Sequence, residues 1–375
     1  MGLALSTLAP ILPKMEAALS ETDTDKMLVK MVIGITGAAV IIGAPIAGIM
    51  GDRMNRARIV TWAVIIFAVI GAAGYLIDNL WIMVGTRFLM GMAAAAVLTL
   101  GFAMAGDLED EPARRRYTGW AVSIAGAVAL VALILGGVIG DINWRLTFLL
   151  FLTPLPISLF AYQLFRNDRE TSKRQVEKPV VVQTAPFRLP IPLMLLALAG
   201  GIIQYIPLTY VPFYMRDLGI ASSTMIGLAM IVQAGTVTIA SGLFGALRAR
   251  VSARSAFGMS FGLMGLGAAG VVLSDEMITV AASLCIIGVG AGWLTPNLVV
   301  SSAEAADLST RARYVGLVKG THMSGMFVGI IVVEPILRLA GVSGVLIAMA
   351  TAACAASLLF FGLTRVSGRK AASPI

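Results

Sequence analysis

Charge is what this sequence has least of. Asp, Glu, Lys and Arg make up 13% of its 375 residues, hydrophobic residues 58%, and the mean hydropathy is +0.90. Soluble domains carry about 25% charged residues, so this chain could not cover a water-facing surface, and a lipid bilayer must be its main solvent. The two cysteines, Cys285 and Cys354, sit inside apolar spans and are too few for a disulfide framework or a thiolate metal site. His322 is the single histidine, which closes metalloenzyme chemistry. The densest acidic group, Asp107 to Glu111, has no histidine beside it, so an enzyme is not expected and no cofactor or metal is required. Met1 to Pro13 is apolar but lacks the basic start of a signal peptide. A net charge of +8 and a pI near 9.8 could suggest nucleic acid. The bases, however, lie in short loops between apolar spans, which is what membrane topology produces, and no nucleic-acid partner is expected.

What is present is organised around Gly48 to Arg58, GIMGDRMNRAR, where one acid and three arginines interrupt two almost wholly apolar segments. That pattern predicts a membrane helical hairpin with its basic loop in the cytoplasm. Spans of about 20 apolar residues are expected at 31–51, 58–77, 80–106, 117–140, 146–165, 190–214, 223–246, 254–274, 277–301, 314–335 and 341–364. Met1 to Pro13 reads as the second half of a further first helix, leaving at Pro10 and Pro13, whose beginning would lie upstream of this sequence. Twenty bases fall on the side of the 48–58 loop and six on the other, with Arg87 and Lys319 inside spans. This asymmetry sets the orientation and puts the C-terminus in the cytoplasm.

The polar stretch from Arg166 to Arg188, with Pro179 and Pro186, reads as a cytoplasmic linker. The expected organisation is therefore a six-helix bundle over 1–165, a linker over 166–189, a second bundle over 190–364 and a tail over 365–375. The halves also repeat. Arg114-Arg-Arg116-Tyr117-Thr-Gly119 returns as Arg311-Ala-Arg313-Tyr314-Val-Gly316 at an offset of 197, and Gly91 returns as Gly288 at the same offset. Gly48-x-x-Gly51 returns as Gly242-x-x-Gly245 at 194. Three matches at nearly one offset indicate a duplicated unit.

With these motifs in place, the chain resembles the major facilitator superfamily of secondary transporters over nearly its whole length. That family carries G-x-x-x-D-R-x-G-R followed by a base between its second and third helices. Gly48, Asp52, Arg53 and Arg56 match it here, while Asn55 and Ala57 depart and Arg58 lies just beyond. Arg87-Phe-Leu-Met-Gly91 is similar to the family's R-x-x-Q-G, with Met90 in place of Gln. Trp144-Arg145 and the glycine run Gly288, Gly290, Gly292 before Pro296-Asn297 are also similar. The antiporter motif G-P-x-x-G-G keeps Gly136-Gly137, but Ala132 and Leu133 replace its Gly-Pro, which weakens antiport as the coupling mode. The resemblance implies an all-α polytopic membrane protein with two pseudo-symmetric six-helix bundles, eleven full transmembrane helices and a partial first one. It also implies alternating access driven by a proton or ion gradient.

Several residues are candidates for that work. Gly48, Asp52, Arg53, Arg56 and Arg58 form either a latch between conformations or a loop obeying the positive-inside rule. Arg87, inside a span, either serves the proton or substrate path or snorkels to the outer interface. Lys319 and His322 share one helix face and suit a proton or anion site, or a satisfied interhelical hydrogen bond. Gln204, Tyr205 and Gln233 are uncharged donors and acceptors at membrane depth that could contact substrate or bond between helices. Tyr210 and Asn297 belong to the same class, and Glu334, before Pro335, reads as a rim or capping residue. No carboxylate lies convincingly at mid-membrane, so no proton carrier is assigned. The expected function is proton-coupled efflux of drugs or metabolites, sugars included, by a monomer in the plasma membrane, here a bacterial inner membrane. Its partners would be a small-molecule substrate and the lipid. The alternatives are a proton-coupled importer of a small organic anion, with Arg87 or Lys319 as counter-ion, and a non-transporting receptor or scaffold on the same fold.

Overall fold

Residues 2–106, 110–158, 189–307 and 310–371 are described by a computed structural model, and no strand occurs among them. The chain divides into two compact units, Met1–Pro186 and Phe187–Ile375. The linker expected at 166–189 lies outside the described residues except at its last residue, Leu189, as do the side chains of Arg114 and Arg115 and those of the 365–375 tail.

The first unit runs through α1 (Gly2–Ser6), a 3-10 turn (Ala9–Ile11), α2 (Leu12–Leu19), α3 (Asp23–Arg53), α4 (Arg56–Ala73), α5 (Leu80–Gly106), α6 (Glu111–Ile142) and a 3-10 segment (Trp144–Leu152). The second holds α7 (Ile191–Asp217), α8 (Ser223–Arg248), α9 (Ala253–Val272), α10 (Met277–Glu304) and α11 (Arg311–Ala371). Among the described residues, nine helices are long and apolar enough to cross a bilayer, and the Arg313–Gly362 span is 50 residues long. Large apolar side chains remain outward, Trp62, Trp81, Ile239 and Leu358 among them. In water such an exterior would be unfavourable, whereas against lipid it is the stable arrangement.

Local chemistry explains where helices start. Thr22 and Asp25 form a reciprocal capping box at α3, and Asn55 accepts from the Arg58 amide at 3.1 Å to open α4. Ser222 and Ser252 cap α8 and α9 in the same way.

Some expected boundaries shift. The stretch expected to leave the membrane at Pro13 instead continues helically to Leu19. Pro10 and Pro13 occupy opening positions of the two short helical segments, where a missing N–H costs nothing. The helix expected over 117–140 is longer, Glu111–Ile142. The span expected from 146 begins as 3-10 structure, with Pro154 and Pro156 following its end. Pro335 does not end its helix. Helical structure runs on to Gly341, whose φ of 65° and ψ of −167° only glycine adopts readily, and this residue divides α11 into two helices.

Within each unit the helices meet through the repeated small residues. In the first, Gly91 of α5 lies over α3, where an added Cβ would be 2.9 Å from the Thr36 carbonyl oxygen and 2.7 Å from Ala39 Cβ. In the second, Gly288 of α10 lies over α8, 2.8 Å from the Gln233 carbonyl oxygen and 2.9 Å from Thr236 Cβ by the same construction. Every member of one set is 197 residues from its counterpart in the other. The next contact is conserved with its glycine exchanged across the interface: Gly43 faces Ala95 in the first unit and Ala240 faces Gly292 in the second.

Candidate functional site

The basic hairpin is built by the end of α3 and the start of α4. Asp52 is exposed and its carboxylate lies 3.7 Å from Arg56 Nη2, across the Met54–Asn55 break between α3 and α4. Arg56 Nε donates to the Gly51 carbonyl at 3.2 Å, and Arg53 and Arg58 are exposed. Gly51 is pressed against the end of the Leu100 side chain of α5, so a side chain there would have to displace it. Gly48 has nothing within 4 Å of where a Cβ would be, and Gly242 and Gly245 are equally open. The geometry therefore leaves Asp52, Arg53 and Arg58 at a surface and commits Gly51 to packing.

Arg87 does not reach solvent: its exposure is 0%. Nη2 donates to the carbonyls of Gly71 at 2.7 Å and Ile70 at 3.3 Å, in the last turn of α4, and Nη1 donates to Met90 Sδ at 3.4 Å. The rings of Phe148 and Phe151 lie 5.1 and 5.2 Å from the guanidinium carbon. A helix C-terminus with its negative dipole end and two aromatic faces is a favourable home for a buried cation. Snorkelling, one of the two sequence readings, is not what the side chain does. Phe148 and Phe151 were not singled out from the sequence, although an aromatic pair three residues apart after Trp144-Arg145 was the available signal.

In the second unit α7, α10 and α11 assemble a polar cluster. His322 of α11 is 2% exposed, its Nδ1 lies 3.1 Å from the Ala197 carbonyl of α7, and its ring lies 5.7 Å from that of Tyr205 at a tilt of 44°. Since a carbonyl only accepts, Nδ1 carries the proton, and the neutral ring has its lone pair on Nε2. Gln204, adjacent to Tyr205, accepts from Thr295 Oγ1 of α10 at 3.3 Å. Thr295 was not among the expected site residues; its place one position before Pro296 gave no cue beyond its polarity. Lys319, one turn before His322, is exposed.

Gln233 lies apart from this group, on α8, 9% exposed, with its own carbonyl at the Gly288 crossing. Tyr210 is buried at 1%. Asn297 donates to the Ala253 carbonyl at 3.0 Å, an interhelical role. Glu334 is largely buried and accepts from Arg338 Nε at 2.9 Å.

One feature escaped the sequence reading altogether. Lys30 of α3 donates to Glu16 of α2 at 2.8 Å, with 3% and 11% side-chain exposure. Only the turn between the two helices brings these residues together.

Comparison with known proteins places this geometry. The sequence profile of the Major Facilitator Superfamily matches residues 1–222. An uncharacterised MFS-type transporter of Bacillus subtilis, YwfA, is 23% identical over 60% of this chain and 56% of its own length. The tetracycline resistance protein, class H, of Pasteurella multocida is 27% identical over 46% of this chain and 43% of its own. The gentisate transporter of Corynebacterium glutamicum is 29% identical over 34% and 30%. The chain thus spans about half the length, or less, of these curated relatives. The crystal structure of a peptide transporter, POT, superposes with a TM-score of 0.70 over 98% of this chain and 94% of that one at 14% identity, a likeness of fold. With the profile covering more than half of its residues, the chain belongs to the Major Facilitator Superfamily, a family of multi-pass membrane transporters.

Proposed function

We propose that this protein is a secondary active transporter that moves a small molecule across the plasma membrane by alternating access, and that it works as a proton-coupled exporter of drugs or metabolites, sugars included. The observation that carries this reading is the cluster of Gln204, Tyr205, His322 and Thr295. These are uncharged donors, acceptors and rings drawn from three helices at membrane depth. α7 carries no charged residue before Arg216, and α10 none before Glu304. Such a lining suits a solute with hydroxyl, amide or aromatic groups better than a multiply charged one. The partial likeness to the Pasteurella tetracycline resistance protein supports export.

In this reading the energy comes from a proton or ion gradient, with no bound cofactor, and the protein acts as a monomer in a bacterial inner membrane. The basic loops and the C-terminus face the cytoplasm. Substrate binds two conformations with different affinity, and that difference drives the cycle. Asp52 and the arginines of the hairpin bias it, because charge-assisted contacts at a helix end are easily remade.

Transport of labelled tetracycline and labelled gentisate into energised membrane vesicles tests this. Accumulation in everted vesicles, abolished by a proton uncoupler, is the expected result. Accumulation in right-side-out vesicles alone would reverse the direction. That second reading, import of a small organic anion, has in its favour the exposed Lys319 beside the cluster and the likeness to the gentisate transporter. Arg87 supports it less, since its Nη donors already serve carbonyls and a sulfur. Absence of flux in both orientations would favour the non-transporting receptor.

A further inference from the structure

The polar side chains around His322 are spent, and one atom of the ring is not. Thr321 Oγ1 donates to the Leu317 carbonyl at 2.8 Å, Ser324 Oγ to the Thr321 carbonyl at 2.7 Å, and Gln204 Oε1 accepts from Thr295. Nδ1 of His322 is engaged with Ala197, whereas the buried Nε2 has no hydrogen-bond partner among the described residues. A neutral imidazole that donates through Nδ1 keeps a basic lone pair on Nε2, and here that atom is buried with nothing among the described residues to bond it, which is uncommon for a polar atom.

The ring is also held in place. α7 and α11 cross at backbone contact next to it: a Cβ on Gly325 would lie 2.6 Å from the Gly201 carbonyl carbon, and one on Gly201 would collide with the carbonyl oxygen of His322 itself. The imidazole sits beside this close crossing with its Nε2 out of contact with water. Among the described residues of α7, α10 and α11, none packed around it is a compensating acid. α7 presents Tyr205 and no charged residue before Arg216, and α10 has none before Glu304 in its last turn. α11 itself carries Lys319 one turn earlier and Glu334 far along toward its other end, already engaged by Arg338.

We propose that Nε2 of His322 is a proton-binding atom of the carboxy-terminal unit, loaded and emptied as the α7–α11 crossing loosens and closes. Loading forms one N–H bond with a proton taken from water and leaves an imidazolium. Emptying returns the same proton to water, and nothing is oxidised or reduced. The imidazolium keeps its Nδ1 bond to Ala197 and gains a second N–H that the closed crossing cannot satisfy with a carboxylate, so loading and loosening favour one another. The inference rests on the proton-coupled reading above and supplies it with a carrier other than a carboxylate.

Because His322 is the only histidine in the chain, full-length protein labelled with 15N-histidine in lipid nanodiscs reports a single imidazole. Nitrogen spectra are followed from about pH 5 to about pH 9, the range in which histidine changes charge. The expected result is a ring protonated at Nδ1 alone at the alkaline end and doubly protonated on acidification. The opposite tautomer, or no second protonation across the range, would overturn the proposal. A second measurement compares wild type with His322→Asn, whose Nδ2 amide takes the place of Nδ1 and can still donate to Ala197, after matching thermal midpoints show that both are folded. Uncoupler-sensitive flux of labelled tetracycline should lose its wild-type dependence on pH in the variant, and an unchanged profile would refute the proton site while leaving transport standing. The spectra need no substrate, so titration without any flux would refute the transport reading and leave the proton site intact.

Discussion

Arg87 Nη2 donates to the carbonyl oxygen of Gly71 at 2.7 Å, so a side chain of α5 holds the last turn of α4. The same guanidinium lies against Phe148 and Phe151 of the 3-10 segment. Replacing it by Met should strand the carbonyls of Ile70 and Gly71 and leave the two rings without their cation. Hydrogen bonds from a charged group are each worth about 1.5–3 kcal/mol, so Arg87→Met should destabilise by about 3 kcal/mol. Arg87→Lys should recover only part of that loss, because an ammonium lacks the planar fork. Thermal unfolding midpoints of the purified protein check this, and equal midpoints for Met and wild type would show that Arg87 carries no structural role.

The repeated crossings should respond in parallel. Gly91→Val and Gly288→Val each push a side chain into a facing carbonyl, and overpacking of this kind costs about 1–3 kcal/mol. Gly48→Ala and Gly242→Ala meet open space. They should be neutral or stabilising by up to about 1 kcal/mol, since Ala suits a helix better than Gly. Unfolding midpoints of the four variants would sort into these two pairs if the two units are copies of one design.

Asp52 offers a separation of stability from function. It is exposed and its contact with Arg56 is long, and surface pairs of this kind contribute about 0–1 kcal/mol. Asp52→Asn should therefore leave the unfolding midpoint within error. A several-fold change in vesicle flux at unchanged midpoint would support the latch. Unchanged flux would reduce the hairpin charge to a topology signal.

The Glu16–Lys30 pair should behave as a buried ion pair. Glu16→Gln or Lys30→Met alone leaves the surviving charge largely buried, at a cost of about 3–5 kcal/mol. The double variant should return most of that stability. If the single losses simply add, the two charges do not depend on one another.

Composition and charge sufficed for the membrane environment and the helical class, and recurring motifs at nearly one offset for the duplicated units. Lipid offers backbone groups no hydrogen bonds and loops collect bases by side, so these properties are written in spacing along the chain. Gly91 and Gly288 were legible as equivalents because a duplicated packing contact keeps its offset. What each buried polar group does was settled only in three dimensions. Arg87 could have snorkelled, yet it turns inward because α4 happens to end beside it. Gln204 found Thr295, and Glu16 found Lys30, across helices whose mutual rotation no sequence period reports. The two nitrogens of His322 became different atoms only when α7 placed the Ala197 carbonyl against one of them. Hydrogen bonds depend on direction over a few ångströms, and tertiary packing alone sets distances that fine.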